Sequence, residues 1–261
     1  MSEKIKWITA KQQYAFCALA VIPVRTEPSD AAEQSTQLLF GEALEVISLN
    51  MPWLQIRTLH DGYEGYIDFT EKELRRWLDA KTANNKQLLE ILGPLGTQLL
   101  PGGAFIGTDA CFQIGAFNYQ LKDEAQNSIL EAYNQQTIWQ YIEAFSNTPY
   151  LWGGRSIFGI DCSGFVQNVF RLLDYNLPRD AYQQAELGAV VSYEERQALD
   201  LAFFINAKGK IHHVGIVSEN GDIIHASGQV RTDALLPSGI YNAAAEQQTH
   251  QLHEIRRIIH A

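Results

Sequence analysis

Three side chains in this sequence are of the types that perform nucleophilic catalysis: Cys162, in IDCSGFV, and His213 and His225, in HVGIV and IIHAS. A thiol attacks only as thiolate, and a free cysteine is mostly protonated near neutrality. The run CSGFVQNVFRLLDY places Phe165, Val169, Leu172 and Leu173 on one stripe, with Val166 and Phe170 beside it. This predicts a helix from Cys162 to Tyr175 with the cysteine in its first turn. Unpaired N–H groups and partial positive charge at a helix start are expected to lower the pKa of the thiol, and a neighbouring imidazole would complete the activation.

Strand register narrows the choice of imidazole among the seven histidines of the chain. LAFFIN, HVGIVS and IIHA read as three strands joined by AKGK and ENG, both suited to hairpins. With a two-residue loop at Asn220 and Gly221, His213 and His225 fall on opposite faces. A three-residue loop of Glu219, Asn220 and Gly221 sets Gly215 opposite His225 and makes His213 its diagonal neighbour on the same face. The longer loop is the expectation here, with Gly221 in the left-handed position such loops require. His213 is then the base, His225 the group that orients it, and His212 points to the other face. His60, His250, His253 and His260 lie in polar or terminal settings and read as solvated. Zinc could in principle use Cys162, His213 and His225, but no familiar zinc spacing is present, and neither a metal nor a cofactor is expected. No phosphate-binding glycine pattern occurs either.

The elements that must position these residues follow from the rest of the chain. Its 261 residues favour two or three domains, and a net charge of −10 argues against a nucleic-acid or anionic-membrane surface. No apolar run has the length of a membrane span. YAFCALAVI, Tyr14 to Ile22, loosely imitates a signal peptide after Lys4, Lys6 and Lys11, but it passes directly into Pro23 and the TEPSD turn, and cleavage near Ala20 would remove a first strand. Cys17, Cys111 and Cys162 are odd in number and unpaired in spacing, which fits a reducing compartment, and Cys17 and Cys111 read as small core residues. The expected location is cytoplasmic.

From Tyr14 to about Leu74, CALAVIPV, EALEVISL, WLQIRTL and YEGYIDF read as strands of a small barrel. VR-x-x-P at Val24 to Pro28, Gly41-Glu42, Trp53 and Gly65-Tyr66-Ile67 resemble a bacterial SH3-like domain. LLPGGAFIG and FQIGAFNYQL suggest further strands with glycine turns. Leu130, Tyr133, Ile138, Ile142 and Phe145 trace a helical face over Asn127 to Phe145, ended by Pro149. The expected organisation is a small SH3-like β-barrel at 1–75, a β-rich connecting region or degenerate second SH3-like module at 76–128, and an α+β catalytic domain at 129–261 with helices packed on an antiparallel sheet.

TPYLWGGRS, DCSGFV, PRD, DLAFF, HVGIV and IIHAS, in that order, resemble the NlpC-type cysteine peptidases, papain-like enzymes that cut bacterial peptidoglycan peptides. The likeness spans roughly Asn127 to His260. It implies that Cys162 is nucleophile, His213 base and His225 orienting residue, in agreement with the register argument. With the SH3-like domain, the chain is similar to γ-D-glutamyl-L-diamino-acid endopeptidases. These imply hydrolysis of the amide joining D-isoglutamate to meso-diaminopimelate or L-lysine in liberated peptides with a free N-terminal L-alanine. The resemblance further implies that Asp180 meets the substrate amine, that Tyr63 and Glu33 of the SH3-like domain close the same subsite as a cap, and that Tyr150, Trp152, Asp161 and Ser163 line it. Asp180 and Asp161 also read as helix N-caps, Tyr150 and Trp152 as core aromatics, and Arg155 as either a carboxylate-binding or a surface ion-pair residue. Two departures from the family pattern stand out: Ala181 where a serine is usual, and Leu199 where a glycine precedes the DLAFF strand. The alternatives are a non-catalytic peptide-binding protein, opposed by the intact Cys162, His213 and His225, and an acyltransferase on the same core.

Overall fold

The computed structural model describes residues 13–68, 74–76, 82–84, 89–93, 96–100, 104–107, 111–114, 117–121 and 136–259. The chain forms two compact units, one of Met1–Tyr133 with Trp152–Phe158 and one of Asn134–Leu151 with Gly159–Ala261.

In the first unit, β1 (Gln13–Cys17), β2 (Val21–Arg25), β3 (Gln34–Leu39), β4 (Ala43–Asn50), β5 (Trp53–Thr58), β6 (Glu64–Asp68) and β7 (Leu74–Arg76) make one sheet in the order β3-β2-β6-β5-β4-β1-β7. Alternation drives it: Ile22 and Val24 of β2 and Leu54 and Ile56 of β5 point into a core shared with Ala15, Cys17, Leu38, Leu44 and Ile67. The CALAVIPV run is two strands rather than one, because the chain breaks between Cys17 and Val21, where the Cys17 N–H bonds to Glu42 O. The polar-looking QSTQLL is a strand that composition alone concealed. Beyond it lie β8 (Thr82–Asn84), β9 (Leu89–Gly93), β10 (Gly96–Leu100), β11 (Phe105–Gly107), β12 (Cys111–Ile114) and β13 (Phe117–Leu121), forming a sheet in the order β10-β9-β13-β12 and a β11-β8 pair. Cys111 is exposed, not a core residue, whereas Cys17 is buried as expected.

The strand β14 (Arg155–Ser156) also belongs to this unit. Arg155 is neither on the surface nor open to a ligand. It is 1% exposed, its two terminal nitrogens each lie 2.9 Å from a Glu42 carboxylate oxygen, and one also donates to Gln37 O at 2.8 Å. A planar guanidinium satisfies a buried carboxylate through two parallel bonds, which makes burial of the pair tolerable.

The second unit contains α1 (Ile138–Ala144), β15 (Gly159–Ile160), α2 (Cys162–Arg171), α3 (Ala181–Gln184) and β16 (Ala189–Val191). They are followed by β17 (Leu201–Ile205), β18 (Ile211–Val217), β19 (Ile223–Ser227), β20 (Gln229–Leu236), β21 (Gly239–Asn242) and β22 (Gln247–Arg257). Of the helix expected over 127–145, residues 127–135 lie outside the described residues; the described part is helical only over Ile138–Ala144. α2 stops at Arg171, four residues before Tyr175, because Asp174 turns left-handed at φ 66 and the Tyr175 N–H closes back on Phe170 O at 2.9 Å.

The expected three-stranded meander is part of something larger. Strands β22, β17, β18, β19, β20 and β21 are consecutive neighbours, and β21 pairs back with β22, so six strands close into a barrel with β16 attached outside β22. All six contribute to one apolar cluster: Ala202, Phe204, Val217, Ile223, Leu235, Ile240 and Ile255. Closure removes the exposed sheet edge, and the unit is mostly strand with few helices. α2 and α3 pack on β18, and α2 also on β19.

Candidate active site

Cys162 is the first residue of α2, and the cap is built as its sequence suggests. The Asp161 side chain accepts from the Gly164 N–H at 2.7 Å. Arg179 holds this cap with bonds of 3.0 and 2.6 Å to the two Asp161 carboxylate oxygens and donates to Ser163 Oγ at 2.9 Å. The Gln184 amide donates to Ser163 O at 3.1 Å. Asp161 and Ser163 are thus both buried and engaged in fixing the helix start. Arg179 was visible in the sequence only as part of PRD; its role depends on a fold that brings it to Asp161, 18 positions earlier.

Cys162 is 6% exposed, and its sulfur lies against the backbone N–H groups of Ser163 and of Val214, the residue after His213. Burial pushes the Cys162 thiol up to about 12, with the Asp161 charge adding to the effect and the two N–H groups only partly offsetting it. This corrects the expectation of a thiol ionised by the helix tip. Desolvation of a charge in a dry pocket outweighs the dipole, so the resting site holds a neutral thiol. The Tyr150 hydroxyl is pushed up in the same way, by burial and then by the neighbouring Cys162 and Asp161.

The hairpin register is the three-residue form. Ser218 N–H donates to Asp222 O, Gly221 has φ 82, and Val217 and Ile216 pair with Ile223 and Ile224, which sets Gly215 opposite His225. A side chain at 215 would collide with Ile223 Cγ1 at 2.7 Å and His225 Cβ at 3.0 Å, so glycine leaves room for the two rings to meet across it. They do meet: His213 Nε2 and His225 Nδ1 are 2.8 Å apart. His225 Nε2 is in turn 3.0 Å from Asp233 Oδ2, whose other oxygen accepts from Arg231 at 2.8 Å. Register again places it, since His225 pairs with Arg231 on β20 and Asp233 is the diagonal neighbour two residues on.

His250 is not where its polar setting put it, and His212 sits at a break in the strand pairing. A bulge in the β17–β18 pairing matches Phe204 to His213 and Ile205 to Ile211, which displaces His212. The His212 ring is exposed but lies 5.9 Å from that of His250. His250, read as solvated, is partly buried and stacks on His213 at 4.2 Å between ring centres. His60 also corrects its reading, with a side chain 12% exposed and Nε2 3.3 Å from Asp61. His253 is exposed, and His260 lies outside the described residues.

Burial, then the neighbouring rings, lowers His213 well below the usual histidine value; burial lowers His225 despite Asp233; and burial with His225 and His212 brings His250 down to about 4. Burial alone would raise Asp233, but Arg231 and His225 outweigh it and its carboxyl is lowered. Below about pH 6.5 each ring takes up a proton on unfolding that the folded chain resists, so its stabilising contribution is complete above about 6.5 and is lost as pH falls towards the folded values. The urea midpoint is expected to be level between pH 7 and 8 and to fall steadily from about pH 6.5 towards pH 4. A midpoint unchanged from pH 7 to 5 would contradict these neutral rings.

Of the remaining predicted residues, Asp180 is the half-buried N-cap of α3, with its N–H donating to the Gln183 side chain at 3.3 Å. Glu33, Tyr63 and Trp152 belong to the first unit, where the Trp152 indole N–H bonds to Glu33 and the Tyr63 N–H to Thr58 and Asp61. Leu199 has φ 70, the backbone region that glycine enters without steric cost.

Residues 147–251 match the family described as NlpC/P60, and residues 24–70 match the bacterial dipeptidyl-peptidase SH3 domain. A γ-D-glutamyl-L-lysine dipeptidyl-peptidase of Bacillus subtilis is 46% identical over 84 residues, covering 31% of this chain and 28% of that protein. A probable endopeptidase of Haemophilus influenzae is 35% identical over 134 residues, 47% of this chain and 80% of its own. The crystal structure of an NlpC/P60 family protein from Bacillus cereus superposes with a TM-score of 0.74 at 20% identity, over 94% of this chain and 99% of that one, a likeness of fold. The match thus spans less than a third of the length of the Bacillus subtilis relative.

Proposed function

Because this chain belongs to the NlpC/P60 family, we propose that it is a cysteine peptidase that cuts the amide between D-isoglutamate and the following L-diamino acid in liberated peptidoglycan peptides with a free N-terminal L-alanine. The observation that carries the reading is a cysteine at the start of a capped helix, packed on the strand whose histidine is paired with a second histidine at 2.8 Å.

His213 Nε2 is engaged by His225, which leaves Nδ1 as the atom that takes the thiol proton. Since the resting thiol is neutral, deprotonation accompanies attack: the proton passes to Nδ1 as the sulfur bonds to the γ-carbonyl carbon. The Ser163 and Val214 N–H groups stabilise the negative charge that develops on the sulfur. His213 then gives the proton to the departing amine, and a thioester remains on Cys162. Water, deprotonated by His213, adds to the thioester and restores the thiol. Asp180, in the same unit, is the carboxylate assigned to the substrate ammonium, for a buried ammonium without an anion is costly. The reading places the enzyme in the recycling of such peptides in the cytoplasm.

Incubation with L-Ala-γ-D-Glu-meso-diaminopimelate and with its N-acetylated form, followed by mass spectrometry, tests this. The first is expected to yield L-Ala-D-Glu and diaminopimelate, the second to stay intact, and a chelator to leave the rate unchanged. Equal cleavage of both would remove the free-amine requirement, and cleavage of neither would remove the endopeptidase.

A further inference from the structure

We infer that Asp233 is a positioning residue that sets the tautomer of His213 across two rings, through a line running Arg231, Asp233, His225, His213. The inference rests on the reading of His213 as the base for Cys162. An ionised carboxylate only accepts hydrogen bonds, so the 3.0 Å contact of Asp233 Oδ2 requires the proton of His225 to sit on Nε2. A neutral imidazole carries one proton, which makes His225 Nδ1 an acceptor. The 2.8 Å contact between His225 Nδ1 and His213 Nε2 then requires His213 to donate from Nε2. Its Nδ1 is left with a lone pair, the state a general base needs.

The surroundings keep this assignment rigid. His213 is 5% exposed and His225 1%, while the Asp233 side chain is 8% exposed, so water does not readily replace any partner. Arg231 bonds Asp233 Oδ1 at 2.8 Å and keeps the carboxylate charged and oriented. The placement follows from strand pairing, with His213, His225 and Asp233 as successive diagonal neighbours across β18, β19 and β20.

Asp233→Asn is the discriminating change. The amide has one oxygen, which Arg231, a pure donor, will claim; the NH2 group then faces His225 Nε2. His225 must accept there and donate from Nδ1, and His213 must accept at Nε2 and carry its proton on Nδ1, where the thiol proton should go. In 15N-histidine-labelled wild type, long-range 1H–15N spectra at pH 7.5 are expected to show both rings protonated on Nε2, with resonances assigned by single histidine replacements. In Asp233→Asn both protons move to Nδ1, alkylation of Cys162 by iodoacetamide slows, and kcat for the tripeptide falls about 10³-fold with KM little changed. Wild-type His213 protonated on Nδ1, or a variant spectrum identical to wild type, would overturn the assignment. The wild-type spectrum decides the matter alone should the variant fail to fold. Expected tautomers in a protein that does not cut the tripeptide would leave Asp233 in this role and refute only the peptidase reading.

Discussion

Cys162→Ala is expected to abolish hydrolysis of L-Ala-γ-D-Glu-meso-diaminopimelate, with a rate about 10⁵-fold below wild type. Neither of the other two thiols is placed to supply the bond that must form. Cys17 is sealed in the core of the first unit, where burial holds its thiol far above the usual range, and Cys111 is exposed on a strand of that same unit. The fold should survive the change, because alanine is small, apolar and a good first-turn residue, while the Asp161 cap and the Arg179 bonds do not involve the sulfur. The thermal midpoint should therefore stay within a few degrees of wild type. Residual activity above a hundredth of wild type, in a preparation free of other peptidases, would exclude Cys162 as nucleophile.

Arg179→Met should destabilise the chain by about 3–5 kcal/mol. The guanidinium is 1% exposed and forms the bidentate pair with Asp161; removing it strands a carboxylate whose side chain is 8% exposed. Ser163 Oγ loses its donor as well. At a few degrees per kcal/mol for a chain of this size, the thermal midpoint should fall by about 10 °C. Charge and shape can be separated, since asparagine is as good an N-cap as aspartate but carries no charge. The double variant Arg179→Met with Asp161→Asn is expected to recover much of the lost stability, with a coupling energy of about 1–3 kcal/mol. Additive losses would mean that Arg179 acts by packing alone. Activity should remain low in the double variant, because the start of α2 would no longer be held by two bonds to a fixed cation.

The features legible in the sequence are those that depend on neighbours in the chain. Asp161 before CSG announced a capped helix start, and the cap forms. Glu219, Asn220 and Gly221 announced a three-residue loop with a left-handed glycine, and that register brings His213 and His225 together. The SH3-like stretch was readable from glycine and aromatic positions, and residues 24–70 match that domain. His250 reads as solvated and Arg155 as a surface or ligand-binding residue, and Asp233 and Arg179 go unrecognised, because each works through a partner far along the chain or on another strand. His250 reaches His213 from β22, the strand that closes the barrel. Asp233 is aligned by the pairing of β20, a strand the sequence reading did not assign.

Residue type, cap chemistry and loop length by themselves determined the place of Cys162 at a helix start and the pairing of two histidines across a glycine. Only the tertiary structure decided the protonation of that site and its outer partners. Ionisation depends on how much water is excluded, and the packing of α2 on β18 and β19 accompanies burial of Cys162 and the rings, so that desolvation overrides the helix dipole. Alternation along a strand is a local property, whereas strand order and desolvation belong to the whole packed unit.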